Sequence, residues 1–227
     1  MLAILSAGIA PAFALLSFFY LKDRYSEPIS LIFRAFILGS LLVLPIMFIQ
    51  YVLSGEVMNP FIESFFIIAL IEEFFKWFVF LYIIYNHTEF DAHYDGIVYA
   101  VAISLGFATV ENVLYLLVNG IQYAFSRAIF PVSSHALFGV IMGYHFGKAK
   151  MHKIHRNYHI LFALVLPVLL HGIYNYIIIT IKTDWISALI PFMIILWYIG
   201  LRRVRTVKKR ESKFDSIIIN QKMRNIP

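Results

Sequence analysis

Glu72, Glu73 and Lys76 sit deep inside the run from Phe61 to Tyr85, which is otherwise apolar after Glu63 and Ser64 at its start. A charged side chain at bilayer depth costs about 2.5–3.5 kcal/mol on insertion scales before any pairing. Three such groups in the stretch Glu72-Glu73-Phe74-Phe75-Lys76 therefore require partners, chemistry, or both. Later apolar runs supply further polar groups: Glu111 with Asn112, His135 after Ser133 and Ser134, and His171 with Asn175. Spacing sorts these onto helix faces. Lys76 lies four residues from Glu72 and three from Glu73, so it can pair with either. The two glutamates point about 100° apart and cannot both face one spot squarely. His171 and Asn175, and likewise Phe107 and Glu111, are four apart and share a face.

The chemistry that fits is hydrolysis. A glutamate can act as general base toward water. Two histidines and a carboxylate (His135, His171 and Glu111) form a donor set for catalytic zinc with an open position for water. A metal-free alternative stays open, with histidines and Asn175 stabilising an oxyanion. No His-Glu-x-x-His motif forces zinc. Each group also has a structural reading. His135 alone is as readily an interhelical hydrogen bond, Glu111 a partner for Lys76, and Asn175 interhelical glue. His145 reads as interfacial, and His152, His155 and His159 as solvated loop residues.

The composition sets these residues in a membrane. The chain has 227 residues, 61% hydrophobic and 14% charged, and a mean hydropathy of +0.79. Soluble domains are about a quarter charged. Cysteine is absent, which excludes disulfides, zinc-thiolate sites and cysteine nucleophiles. The net charge of +6 does not imply nucleic acid, because seven of the nineteen Lys and Arg lie between Arg202 and Lys213, beyond the last apolar run. That segment reads as a topogenic tail in contact with lipid headgroups.

The expected architecture is an all-α polytopic helical bundle of about seven transmembrane helices. The runs are Met1–Leu21, Ile29–Leu53, Phe61–Tyr85, Asp95–Val118, Phe130–Gly147, Tyr158–Ile181 and Trp185–Leu201. The first lacks a basic flank and is too long for a signal sequence, so it reads as a retained helix. Ser54–Pro60 reads as a loop. Asp95-Gly96 reads as the N-cap of the fourth helix. Ile121–Ile129, with Gln122 and Arg127, reads as an interfacial or re-entrant piece. Gly139, Gly143 and Gly147 recur every four residues and predict close helix approach. Two regions follow: a transmembrane domain over 1–201 and a basic cytoplasmic tail over 202–227, whose Ser216–Ile219 patch suggests no function. Lys and Arg collect in the tail, in the loop with Lys148, Lys150, Lys153 and Arg156, and in the loop with Lys22 and Arg24. By the positive-inside rule the N-terminus is then outside and the C-terminus cytoplasmic. At 1.5 Å rise per residue Glu72 lies about 16 Å into its helix. Glu111, His135 and His171 fall at a similar depth, between the middle and the outer face.

The motifs also match a family. EEFFK at Glu72–Lys76, FATVEN at Phe107–Asn112, SSHALFG at Ser133–Gly139 and HGIYN at His171–Asn175 resemble the four signatures of PrsW intramembrane proteases. Order, spacing and the neighbouring DGIVYA at Asp95–Ala100 fit as well, across nearly the whole chain. That family is grouped with the CAAX prenyl proteases and bacteriocin-processing enzymes, whose first motif is a Glu-Glu pair followed by Arg. The resemblance implies a multi-pass cell-membrane protease that makes the site-1 cut in a single-pass, RsiW-type anti-sigma factor on its extracytoplasmic side, so that a sigma factor is released. It implies that Glu72, Glu73 and His171 are essential, with Glu111, His135 and Asn175 lining the site. Two other classes use similar residues. A proton- or ion-coupled transporter would use them as a relay, but no inverted repeat is visible. A non-catalytic scaffold would only bind the anti-sigma factor.

Overall fold

A computed structural model describes residues 1–54 and 59–224, excepting the side chains of 153 and 213–224. Every regular element among the described residues is helical. Helix α1 spans Leu2–Tyr20. Helices α2 (Ile29–Leu41) and α3 (Val43–Leu53) join across Leu42 into one membrane-length run. The middle of the expected 54–60 loop, 55–58, lies outside the described residues. Helix α4 (Pro60–Ile62) opens a helical stretch that continues through π-helical Glu63–Leu70, α5 (Ile71–Val79) and π-helical Phe80–Ile84. Then come α6 (His93–Asn119), α7 (Ala124–Arg127), α8 (Ser133–Met151), α9 (Arg156–Thr180) and α10 (Trp185–Arg224).

Six of the described helices or fused runs are long and apolar enough to cross a membrane, and Pro60–Ile84 adds a helical run of similar length. The protein is an all-α, multi-pass membrane protein. Helix α6 is its axis. Every residue from His93 to Thr109 is buried, as expected of a helix that is apolar on all sides. It packs against α8, α2 and α1.

Small residues set these contacts. A Cβ on Gly39 would collide with the backbone carbonyl of Ile103, and one on Gly106 with that of Phe36, so α2 and α6 cross backbone to backbone. Gly143 of α8 meets Gly96 of α6 in the same way. Lipid offers no hydrophobic force between helices, so such close approach and its dispersion contacts hold the bundle together.

The structure corrects three expectations. Asp95 is not an N-cap but lies inside the first turn of α6, where its Oδ2 accepts from the backbone N–H groups of Asp91 and Ala92. The 121–129 segment is not separate. A 3-10 turn at Ile121–Tyr123, α7, and π-helical Ala128–Val132 run into α8 as one span, Ile121–Met151. Pro131 lies in the π-helical turn, where the ladder gives up the hydrogen bond that its missing N–H cannot make. His159 is not a solvated loop residue but lies half-buried in the first turn of α9, its Nδ1 3.3 Å from Nδ1 of buried His145.

The expected tail region begins as packed helix. Val204 and Val207 are buried in the main apolar cluster, and Glu211 Oε1 accepts from the Tyr94 backbone N–H at 2.9 Å. The Ser216–Ile219 patch lies in α10 by its backbone, with its side chains outside the described residues. Gly106→Val should push α2 off α6 and cost about 1–3 kcal/mol or more. Thermal unfolding in detergent checks this; an unchanged melting temperature would mean that the crossing does not support the fold.

Candidate active site

Helix α5 has two unlike faces. Phe74 and Phe78 are exposed toward lipid, while Glu72, Glu73 and Lys76 are buried. Trp77 Nε1 donates to the Ile160 carbonyl of α9 at 2.9 Å, which fixes the rotation of α5 against α9. Lys76 Nζ then lies 2.8 Å from Glu73 Oε1 and 3.6 Å from Glu72 Oε2. It also sits 4.2 Å from the Phe107 ring centre.

From α8, His135 Nδ1 faces Lys76 Nζ at 3.2 Å, and His135 Nε2 faces Glu111 Oε2 at 3.0 Å. An ammonium only donates, so Nδ1 is the acceptor and Nε2 carries the proton given to Glu111. From α9, His171 Nδ1 lies 3.0 Å from the same Glu73 Oε1, and Nε2 is 4.0 Å from Glu72 Oε2. Phe138 stacks on His171 with ring centres 4.9 Å apart, and the two imidazoles meet edge to face at 5.1 Å. One polar chain therefore runs Glu111–His135–Lys76–Glu73–His171, over helices α6, α8, α5 and α9.

Two residues that flank this chain were not singled out from sequence. Gln50 of α3 donates to Glu72 Oε1 at 3.2 Å. Arg127 of α7 donates to Glu111 Oε1 at 3.0 Å and to Asn112 Oδ1 at 2.8 Å. Gln50 is uncharged and escapes a search for ionisable groups, although a glutamine in an apolar run was a visible signal. Arg127 lay in a segment read as separate from the helix that carries His135. Asn175 is half-buried one turn beyond His171, and its Nδ2 is buried without a hydrogen-bond partner. Ser133 and Ser134 turn back to the carbonyls of Ile129 and Pro131 instead of reaching the cluster.

Ligand atoms of Glu72, Glu73, His135 and His171 all lie within 4.8 Å of one another. Glu72 Oε2 and Glu73 Oε2 are buried and have no hydrogen-bond partner. Imidazole nitrogens and carboxylate oxygens are the donors of a catalytic zinc site. This donor set differs from the expected His135, His171 and Glu111, because Glu111 stands behind His135 and bonds to its far nitrogen. Glu111 thus occupies the position of a carboxylate that orients a ligating histidine.

The sequence profile of the PrsW family intramembrane metalloproteases matches residues 27–200 of the chain. This chain belongs to the PrsW family. It is 63% identical to the Protease PrsW of Oceanobacillus iheyensis over 207 residues, covering 90% of this chain and 96% of that protein. It is 53% identical to the Protease PrsW of Geobacillus kaustophilus over 211 residues, with 92% and 93% covered. Against the Protease PrsW of Bacillus subtilis the identity is 50% over 212 residues, with 92% and 97% covered. No solved structure matches.

As a PrsW-family member the protein is an intramembrane peptidase, and its buried Glu and His cluster is suited to hold a metal ion. Such an ion would be held by Glu73, His135 and His171, with Glu72 left beside it to face the water. When bound, it would polarise a carbonyl and acidify its water. The protein's own groups fix the cage: Lys76 holds Glu73, Glu111 orients His135, and Gln50 orients Glu72.

Outer partners of a metal or catalytic site typically contribute 10–100-fold to activity or metal affinity. Arg127→Met and Gln50→Leu should each lower kcat by about that factor in a fragment-release assay. Wild-type turnover in both variants would remove them from the site. Metal analysis of purified protein should find bound zinc that His171→Ala loses. Equal zinc in wild type and His171→Ala would place the ion elsewhere.

Proposed function

We propose that this chain makes the site-1 cut in a single-pass, RsiW-type anti-sigma factor on its extracytoplasmic side, after which a second intramembrane protease acts and a sigma factor is released. The substrate class rests on the four motifs. The side of cleavage rests on depth and charge. We infer seven spans, with Pro60–Ile84 as the third, the N-terminus outside and the C-terminus cytoplasmic. The outer end is then the one that carries the turn at Gly120.

By axial rise, Glu111 lies about 12 Å from Asn119 at that end of α6 and about 27 Å from His93 at the other. His171 lies about 14 Å from Thr180 and about 22 Å from Arg156. The Glu111 side chain is 34% exposed, so the polar chain reaches the surface at Glu111. A substrate cut here is cut toward the outer face.

The carrying observation is the state of Glu72. Its Oε2 is buried without a hydrogen-bond partner, 3.6 Å from Lys76 Nζ and 4.0 Å from His171 Nε2, while Gln50 steadies its Oε1. In the proposed reaction Glu72 Oε2 takes a proton from water and the hydroxide oxygen bonds to the scissile carbonyl carbon. The oxyanion gains from the nearby Lys76 charge and from Asn175 Nδ2, a buried donor without a partner. The C–N bond then breaks, and Glu72 returns its proton to the amine nitrogen. Glu73 stays bound to Lys76 and His171.

Purified protein reconstituted with a single-pass anti-sigma substrate should release a fragment cut near the outer membrane face. General base catalysis contributes about 10²–10⁴-fold, so Glu72→Gln should lose at least about 100-fold in kcat and keep the wild-type melting temperature. Binding without cutting would favour a scaffold, and ion flux without cutting a relay. A cut at the cytoplasmic face would overturn the orientation.

A further inference from the structure

A second acidic cluster lies at the end of the bundle away from the Gly120 turn, and the protease site uses none of it. Asp23 and Glu27 come from the α1–α2 connection, and Asp95 comes from the first turn of α6. One oxygen from each of the three lies within 4.8 Å of the others. Asp95 and Glu27 are buried and Asp23 is half-buried. Like charges this close repel strongly unless a cation or a proton sits among them.

Some of these oxygens are already engaged. Asp95 Oδ2 takes the Asp91 and Ala92 N–H groups, Glu27 Oε2 takes the Tyr99 hydroxyl, and Asp23 Oδ1 takes the Tyr25 N–H. Others are not. Asp95 is fully buried, and its Oδ1 has no hydrogen-bond partner; neither does Asp23 Oδ2. A carboxylate oxygen held in the interior without a donor has lost its water and gained nothing in exchange.

We propose that Asp23, Glu27 and Asp95 bind a hard divalent cation, with Ca²⁺ the better match in size, and that the ion ties the α1–α2 connection to the start of α6. Three carboxylates with no sulfur or nitrogen donor select a hard ion. Oxygens around one Ca²⁺ at about 2.3–2.6 Å are separated by at most about 5 Å, which the observed spread satisfies; Mg²⁺ demands near-ideal octahedral geometry and keeps several of its waters, so a carboxylate cluster suits it less well. Glu27 also lines a cleft of about 900 Å³ with Glu89, Asp91 and His93, from which an ion and its remaining waters can arrive.

Tyr99 touches Glu27, so a bound lanthanide would accept excitation from it. The experiment titrates Tb³⁺ into full-length, zinc-loaded protein in detergent and reads tyrosine-sensitised emission. Saturable emission is expected, displaced by Ca²⁺ and more weakly by Mg²⁺. Asp95→Asn and Glu27→Gln should weaken Tb³⁺ binding at least tenfold, and Glu72→Gln should leave it unchanged. Asp23→Asn, in the half-buried connection, repeats the test at a position that does not cap a helix. No saturable emission from the wild type, as a shared proton would give, overturns the proposal. So does emission that survives Asp23→Asn and Glu27→Gln undiminished.

Discussion

The structure depends on a lysine ammonium buried where neither water nor lipid headgroups reach it. Lys76 is fully buried and bonds to Glu73 at 2.8 Å, with Glu72 at 3.6 Å and His135 at 3.2 Å. Removing one member of such a buried pair typically costs about 3–5 kcal/mol, because the other charge is left without compensation. Lys76 therefore binds α5 to α8. The partners it brings have needs of their own. Glu73 takes His171 from α9, His135 takes Glu111 from α6, and Glu111 takes Arg127 from α7. Each polar group is satisfied by the next helix, so one costly residue fixes the relative positions of five elements.

Hydrogen bonds of about 3 Å require helices that hold their depth. The glycine crossings provide this. Gly143 against Gly96 sets α8 on α6, and that setting brings His135 level with Glu111. Gly39 against Gly106 sets α2 on α6. Helix α3 continues from α2 across Leu42 and carries Gln50 to Glu72. A side chain at Gly106 would thus disturb the site without touching it. The polar network selects which faces meet, and the small residues select how far each helix slides.

Much of this arrangement was legible in the sequence, for a physical reason. In an apolar chain every ionisable residue at depth is conspicuous, and helical spacing assigns it a face. Hence Glu72, Glu73, Lys76, Glu111, His135 and His171 could be named together, and the structure places them in one network. What was missed carried no charge signal or crossed a misplaced boundary. Gln50 is neutral. Arg127 lies in the polar 121–129 stretch that read as a separate interfacial or re-entrant piece, yet π-helical Ala128–Val132 carries the helix on into α8. Asp95 beside Gly96 imitates a cap, because the same carboxylate can accept N–H groups from the position before a helix or from its first turn. Periodicity does not distinguish the two.

The two adjacent glutamates were equivalent by spacing, and the structure makes them unlike. Glu73 Oε1 is shared between Lys76 and His171. For Glu73 to take a proton from water, it would have to weaken its bond to a buried ammonium at the moment that ammonium most needs a counter-charge. Glu72 is under no such demand. Its nearest cation is 3.6 Å away, against 2.8 Å for Glu73, and among the described residues its side-chain hydrogen-bond donor is a neutral amide. Protonating Glu72 leaves the Lys76–Glu73 pair intact and the interior near neutral. The pair therefore divides the work proposed for it: one carboxylate fixes the charge that the fold must bury, and its neighbour is left able to exchange a proton with water.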